Sequence, residues 1–464
     1  MFAKTFLDVP VALNSTVGVT GAFLVCMIST AQKIMLIVDS KTASALNRAC
    51  GCARYAYNWA RDTWFAKKKA GQETVTCAEL RKEFNAQKTD WMYESPKGSM
   101  DQAIKNFVLA KNRHYDNPEL FGFPKRKKYK SKRSFYIEND KARIANPTHI
   151  KLPLIKIPVR LAEPVRPECI SGKINNFVVS KGSNDRWYIS ISYTYDDDNS
   201  LYGTGENGIV GIDMGVKTLM QLSTGECVAN EHINKRHYKR LKRYQRMMSR
   251  RKYNSVHYKD IKKTFNKKNT YIKNFRKDLI HKATTEIVKR NMVVAIEDLN
   301  VKGMMSNHKL ASAISDCGFG MIRRFLEYKS AKYGTLLLKV GRFFPSSKKC
   351  SGCGHVKEQL SLSEREFICE ECGLVIERDT NAAINILAEA LFIELNNRFN
   401  TDIARRKFTP ADLVALASSL SGTGATTEVD AHCLLTRDGR TAMVDDFFNR
   451  LWNQVANATI NCYI

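Results

Sequence analysis

Four cysteines and three acids are the residues of this 464-residue chain whose types and spacing could do chemistry. Cys350 and Cys353 form one C-x2-C pair, Cys369 and Cys372 form a second, and fifteen residues separate the pairs. That is the ligand spacing of a four-thiolate zinc ribbon. A glycine follows each pair at once, and Gly354 and Gly373 permit the positive φ with which a short knuckle wraps its backbone around a tetrahedral ion. Four protein ligands leave no position open for water or substrate, so the expected Zn²⁺ is structural. The alternative is four unconnected buried thiols, which such regular pairing disfavours.

The acids stand apart in the chain. Asp213 lies in GIVGIDMGVK, residues 208–217, a buried strand with small neighbours that leave room for ions and phosphate. Glu297 ends NMVVAIE, residues 291–297, a second apolar strand. Asp379 opens a helical run directly after the second cysteine pair, where taken alone it reads as an N-cap. Brought together, the three carboxylates would repel one another unless divalent cations bridged them. That is the logic of a two-metal phosphoryl-transfer site, in which Mg²⁺ activates a water and stabilises the leaving oxygen. Asp298 and Glu377, the adjacent acids, are expected outside that site.

The elements that must position these residues belong to a large, basic protein. With 44% apolar residues the chain can build real cores, in roughly two to four domains. Lys and Arg outnumber Asp and Glu by 74 to 46, and because residues 401–464 hold 6 basic and 7 acidic residues, the surplus lies wholly in the first 400. Such an excess points to nucleic acid, with a membrane surface the weaker choice. Thirteen cysteines, four of them spaced for metal and the rest scattered, fit a reducing, cytoplasmic setting. Val17–Ile28 has the character of a signal-peptide core, but Asp8 precedes it and no small-residue cleavage site follows; it is also too short to span a bilayer.

Residues 40–114 have helical periodicity, with Ala45, Leu46, Ala49, Cys50, Ala53, Tyr57 and Ala60 on one stripe and Arg48, Arg54, Asn58 and Arg61 around it. The aromatics there either pack a core or stack bases. The run FGFPKRKKYKSKRSFYI, residues 121–137, carries Lys125, Arg126, Lys127, Lys128, Lys130, Lys132 and Arg133, and reads as a phosphate-tracking loop or a solvated face. Residues 150–200 are β-like and suggest a small barrel or twisted sheet, with residues 202–208 as a linker. Between the two acid-bearing strands, residues 235–290 hold 21 Lys and Arg against Asp260, Asp278 and Glu286, a helical hairpin broken near Asn254 or Asn269. Binding to a duplex backbone is the expected use of such a surface. The last 65 residues read as a flexible or loosely packed tail.

These stretches together resemble TnpB, the accessory protein of bacterial insertion sequences, and more distantly the compact type V CRISPR effectors and the Fanzor proteins. The resemblance covers residues 33–387. It is carried by GIDMGVK (211–217), AIEDLNVKGM (295–304), AISDCGFGMIRRFLEYKSAKYG (313–334), FPSSKKCSGCG (344–354), CGLVIERDTNAAINI (372–386) and ACGCARYAYNWA (49–60). The sequence departs from the family in its long apolar N-terminus, in Ile37-Val38-Asp39-Ser40 where Leu-Tyr-Pro is usual, and in Glu377 where aspartate is common.

The resemblance implies an α/β multidomain protein. A RuvC-like nuclease of RNase H fold would occupy 208–345 and 374–399, with the basic hairpin at 235–290 and a zinc ribbon inserted at 346–373. A helical recognition domain would span 40–139 and a wedge-like β-barrel 140–207, the barrel taking its first strand from the extension 1–39. It further implies a catalytic triad of Asp213, Glu297 and Asp379, guidance by an element-derived RNA, and cleavage of double-stranded DNA beside a short motif. Recognition would fall to residues such as Arg54, Tyr57, Asn58, Lys97, Asp101, Lys125, Arg126, Lys127 and Arg133. The protein is expected to be a monomer in a prokaryotic cytoplasm. The competing functions are a guide-dependent DNA-binding repressor without cleavage and a transposase that needs no RNA.

Overall fold

The computed structural model describes residues 26–72, 74–129, 133–153, 155–197, 208–308, 310–361, 363–400, 405, 408–422 and 437–460. Most of the Val17–Ile28 run, the linker up to residue 207, Lys130, Lys132, Cys433 and Cys462 lie outside them. The chain divides into two compact units, residues 1–198 with 254–267, and residues 199–253 with 268–464.

The first unit contains β1 (Cys26–Ile37), α1 (Ser40–Lys69), α2 (Cys77–Ala86), α3 (Asp90–Tyr93), α4 (Lys97–Asp116), β2 (Ser134–Glu138), β3 (Arg143–Asn146), β4 (His149–Lys151), β5 (Val159–Leu161), α5 (Pro167–Ser171), β6 (Lys173–Lys181) and β7 (Trp187–Asp197). Asp39 caps α1 by accepting from the Thr42 amide at 2.8 Å. The buried stripe of α1 runs through Leu46, Ala49, Cys50, Ala53, Tyr57, Ala60 and Trp64, the spacing the sequence leads one to expect. Thr76 and Glu79 close a capping box on α2.

The seven strands form one antiparallel sheet in the order β2-β6-β7-β1-β5-β4-β3. Two sequence expectations change here. Ser134–Glu138, placed with the helices by sequence, pairs with β6 over its whole length, because Phe135 and Ile137 alternate inward with a period of two. Among the described residues no pairing joins β2 to β3, so the expected barrel is an open ladder.

The second unit is built on a five-stranded sheet of β8 (Gly208–Asp213), β9 (Thr218–Leu222), β10 (Cys227–Ala229), β11 (Asn291–Glu297) and β12 (Leu336–Val340). Its order is β10-β9-β8-β11-β12, with β8, β11 and β12 parallel and β9 antiparallel to β8. Helices α6 (Ile233–Ser249) and α7 (Val256–Arg290) are the basic pair, and the boundary between the units falls within α7. Their break falls at Asn254, which takes φ 69°, a left-handed conformation that asparagine tolerates; Asn269 lies inside α7. Then come α8 (Val301–Met304), α9 (Ala311–Cys317), α10 (Phe319–Tyr333), the short strands β13 (Glu366–Ile368) and β14 (Val375–Glu377), and α11 (Arg378–Phe399).

The C-terminal segment is not a loose tail. Helices α12 (Pro410–Gly422) and α13 (Arg437–Ile460) bury Leu413, Ala417, Phe447, Phe448, Leu451 and Val455 against α11 and the sheet. Removing that much aliphatic and aromatic surface from water stabilises the layer by roughly 1.5–3 kcal/mol for each large side chain. No helix among the described residues is long and apolar enough to cross a membrane.

Candidate catalytic and metal sites

Strand alternation decides where the first two acids point. Val210, Ile212, Val294 and Ile296 pack on one face of the sheet with residues of α7 and α10. Ile209, Val293 and Ala295 pack on the other with α11, α12 and α13. By parity Asp213 and Glu297 belong to the α11 face, at the ends of neighbouring parallel strands where Ile296 lies beside Ile212. Helix α11 crosses β8 very closely there. A methyl group on Gly211 would collide with the Ala383 carbonyl and come within 2.8 Å of Leu387 Cβ. Asp379 precedes Ala383 by one turn, so the approach at Gly211 brings the helix mouth over the end of β8.

Glu297 and Asp379 both act on Asp213. Burial first, then the charges of Glu297 and Asp379, push the Asp213 carboxyl up to about 7, with Arg378 opposing. Burial also raises Glu297, against a hydrogen bond that the Ser346 hydroxyl donates to its Oε1. Asp379 accepts from Arg378 Nε and Nη2 at 3.2 and 3.1 Å. It does not cap the helix: the N-cap is Glu377, and no side-chain capping bond forms. Asp298 is held by Arg323 at 2.8 Å and Arg342 at 3.0 Å. A cavity of about 280 Å³ opens beside Glu297, lined also by Lys302, Phe319, Arg323 and Arg342.

The four cysteines converge as their spacing suggests. Sγ of Cys350 lies 3.6 Å from that of Cys372, Sγ of Cys353 lies 3.5 Å from that of Cys369, and all four fall within 4.8 Å of one another. Four bonds of about 2.3 Å to a tetrahedral ion would set sulfurs about 3.8 Å apart, so the set could hold a metal. The two knuckles are copies of each other. The amides of Cys350 and Cys369 donate to the carbonyls of His355 and Leu374, and the amides of Gly354 and Gly373 donate back to the two cysteine carbonyls. Gly354 and Gly373 take φ of 81° and 71°.

Two asparagines on α11 hold the first knuckle. Asn381 donates to the Lys349 carbonyl at 2.7 Å and accepts from the Ser351 amide at 2.9 Å. Asn385, one turn later, donates to the carbonyls of Ser346 at 3.0 Å and Lys349 at 2.7 Å.

Comparison with known proteins decides the family. Residues 319–386 match the "Cas12f1-like, TNB domain" family and residues 190–308 match OrfB_IS605, described as "Probable transposase". A protein of Streptomyces pristinaespiralis named as an RNA-guided DNA endonuclease is 32% identical over 377 residues, 78% of this chain and 90% of the relative. The chain belongs to the TnpB family of RNA-guided DNA endonucleases. InsQ of Escherichia coli K12, another of its relatives, is 26% identical over 383 residues, 77% of this chain and 91% of InsQ. A cryo-EM structure of a Cas12f1–sgRNA–target DNA complex covers 75% of this chain and 83% of its own at a TM-score of 0.50 and 17% identity, a likeness of fold alone.

The nucleic-acid residues expected of this TnpB-family chain sort unevenly. Arg54 and Arg133 flank the exposed ring of Tyr129, at 5.2 and 4.6 Å from its centroid. Asn58 faces inward: it donates to the Lys127 carbonyl at 3.0 Å and accepts from the Lys127 amide at 2.8 Å, pinning the basic loop to α1. Tyr57 is buried, edge-on to Phe107 and covered by Lys127 Nζ at 3.8 Å, so it packs a core rather than offering a stacking face. Burial pushes the Lys127 ammonium down to about 8. Asp101 is buried, with Oδ2 on Arg81 at 3.0 Å and Oδ1 without a partner among the described residues; Lys97 opens α4 one turn before it. Arg126 pairs with Asp62 at 3.4 Å, and Lys125 is exposed.

Sequence reading missed Ser346, Asn381 and Asn385. The one signal for the asparagines was two carboxamides at helical spacing inside the otherwise apolar stretch 381–388 of that helix.

Proposed function

We propose that this TnpB-family protein is an RNA-guided, Mg²⁺-dependent endonuclease that hydrolyses double-stranded DNA beside a short flanking motif. The nuclease would be a RuvC-like domain of RNase H fold formed by the five-stranded sheet and α11. The observation that supports this is that the charges of Glu297 and Asp379 act on the buried Asp213 carboxyl where α11 crosses the end of β8. Their chemistry fits the ion. A buried carboxyl whose protonation is raised by burial and by two neighbouring carboxylates belongs to a donor set that a hard divalent cation relieves.

Asp213 and Glu297 would hold Mg²⁺ from the strand ends and Asp379 from the helix mouth. When bound, Mg²⁺ supplies an activated water and offsets the charge that develops on the leaving oxygen. Arg378 donates to Asp379, and the Ser346 hydroxyl donates to Glu297. The cysteine site would hold structural Zn²⁺, since four thiolates at tetrahedral separation suit that ion and leave no position open.

Helices α1–α4 would form the recognition lobe and the seven-stranded sheet the wedge, and the basic pair α6 and α7 would bind duplex backbone. The half-buried Arg54 and Arg133 and the exposed Lys125 and Arg126 are the cations assigned to RNA or DNA. The protein would work as a monomer in the cytoplasm of a prokaryotic host.

The test is to sequence the RNA that copurifies with the protein and to challenge the complex with plasmid carrying the matching target. Wild type should cut only with Mg²⁺, and Asp213→Ala should keep the RNA and fail to cut. Full activity in Asp213→Ala would remove the triad. Guide-directed binding by wild type without any cut would turn the assignment to a repressor.

A further inference from the structure

The loop from β12 to the first cysteine knuckle touches both chemical centres of the second unit. Ser346, only 5% exposed, donates its hydroxyl to Glu297 Oε1 and accepts at its carbonyl from Asn385 Nδ2. Asn385 and Asn381 then fasten the carbonyl of Lys349 and the amide of Ser351, the residues on either side of Cys350. Both asparagines are sealed from solvent. A carboxamide buried in an apolar helix face is costly unless bonded, so its retention needs a reason. Asn385 keeps its Nδ2 on two carbonyls even though its own Oδ1 is left without a partner.

Glu297 needs such a tether. Its side chain stands at a strand end and lines a cavity that Arg323 and Arg342 also line, two guanidinium groups that would attract a carboxylate that swung away from Asp213. Asp298 occupies both of them, yet a second acid could share the cavity. The Ser346 hydroxyl donates to Glu297 and so opposes that swing.

We propose that Ser346 is a positioning residue for Glu297. Asn385 and Asn381 set Ser346 in turn, so that α11, which carries Asp379, also fixes the carboxylate on β11 and the metal knuckle. The carboxylate cluster and the cysteine site are then one mechanical unit joined through residues 346–351. The proposal rests on Asp213, Glu297 and Asp379 being the divalent-cation site.

The experiment measures Mn²⁺ binding by electron paramagnetic resonance on the full chain, stripped of nucleic acid at high salt, with zinc content and melting temperature recorded beside it. Wild type should bind Mn²⁺ in a manner that Asp213→Ala abolishes. Ser346→Ala should weaken that binding roughly ten-fold or more, as loss of an outer partner of a metal ligand does, with zinc content and melting unchanged. Ser346→Thr, which keeps the hydroxyl, should stay within about three-fold of wild type. Asn385→Asp, nearly the same size but facing two carbonyls with oxygen, should weaken Mn²⁺ and lower zinc retention together. Should Asn385→Asp fail to fold, the Ser346 pair still decides. Equal Mn²⁺ affinity in wild type and Ser346→Ala overturns the positioning role. Mn²⁺ binding by wild type that survives Asp213→Ala, or none at all, overturns the carboxylate site itself and this proposal with it.

Discussion

Gly211 and Ala383 are in backbone contact: α11 crosses β8 at the one residue of that strand's inner face without a side chain, two positions before Asp213. Gly211→Ala places a methyl into the Ala383 carbonyl, 2.8 Å from Leu387 Cβ and 3.0 Å from Leu387 N. Backbone cannot yield as a side-chain tip can, so the helix must move off the strand. The substitution should destabilise the second unit by about 1–3 kcal/mol in chemical denaturation. It should also slow cleavage by more than that loss explains, because Asp379 rides on the displaced helix. A stable Gly211→Ala that cuts at the wild-type rate would show that the close approach does not place Asp379.

The raised Asp213 carboxyl gives stability a pH dependence of definite sign. It lies at about 7 in the fold, against roughly 3.9 for an aspartate in an unfolded chain. Between those values the folded protein keeps a proton that the unfolded chain has released, so without divalent cation stability falls as pH rises from about 4 to 7 and stays low above that. Asp213→Asn cannot ionise and should be the more stable of the two near pH 8, by an amount on the order of 1–4 kcal/mol. The gap should close towards pH 4, and added Mg²⁺ should close it near pH 8. Melting in Mg²⁺-free buffer without chelator, so that the cysteine site keeps its ion, checks all three points. A gap that widens on acidification contradicts the assignment.

How much was legible in sequence depended on whether a residue's neighbours in the chain are also its neighbours in space. Asp213 and Glu297 stood out because an acid that ends an apolar strand is costly wherever the strand is buried, and the C-x2-C pairs carry their geometry in their spacing. Asp379 read alone as a cap, and only the fold moves that role to Glu377. Ser346 lies among proline, serine and lysines that look like any surface loop, and its partner Glu297 is 49 residues away. Tyr57 shared a helix with arginines, yet Ala53, Ala56 and Ala60 around it already marked the inward stripe. Beyond residue 400 only a weakly amphipathic end around 444–455 stood out in a segment that otherwise read as a tail, and Phe447, Leu451 and Val455 within it recur every four residues and are buried.

Removing one cysteine should report on more than metal. Cys353→Ser leaves three thiolates, and zinc measured by mass spectrometry should fall from about one ion per chain to a small fraction of that. The small core under the knuckles is Cys350, Phe367 and Cys369 with Leu360, Leu374 and Ile376 packed half-buried against them, too little apolar surface to hold β13 and β14 without an ion. Proteolysis should then open residues 350–377 first. A variant with undiminished zinc would mean that the four sulfurs are not the ligand set.

Tyr129 offers a separate test of the recognition face. Its ring is 66% exposed between the guanidinium groups of Arg54 and Arg133, and the loop that carries it is fixed to α1 by both hydrogen bonds of Asn58 to Lys127 and by Arg61 donating to the Pro124 carbonyl at 3.1 Å. Cations on a merely solvated face have no need of a shared ring, whereas a surface that tracks phosphates gains from charges already aligned. Tyr129→Ala should therefore change stability by no more than about 0.5 kcal/mol, since the ring is exposed. It should weaken RNA binding by about 5–10-fold, the effect of losing on the order of 1 kcal/mol at a stacking or cation–π site. Tyr129→Phe keeps the ring and should bind as wild type does. Arg54→Ala combined with Arg133→Ala should flatten the salt dependence of binding, because every phosphate that the protein no longer neutralises lowers the slope by close to one unit. Unaltered affinity of Tyr129→Ala across a salt titration would place the RNA on another surface, with the basic pair α6 and α7 the first to examine.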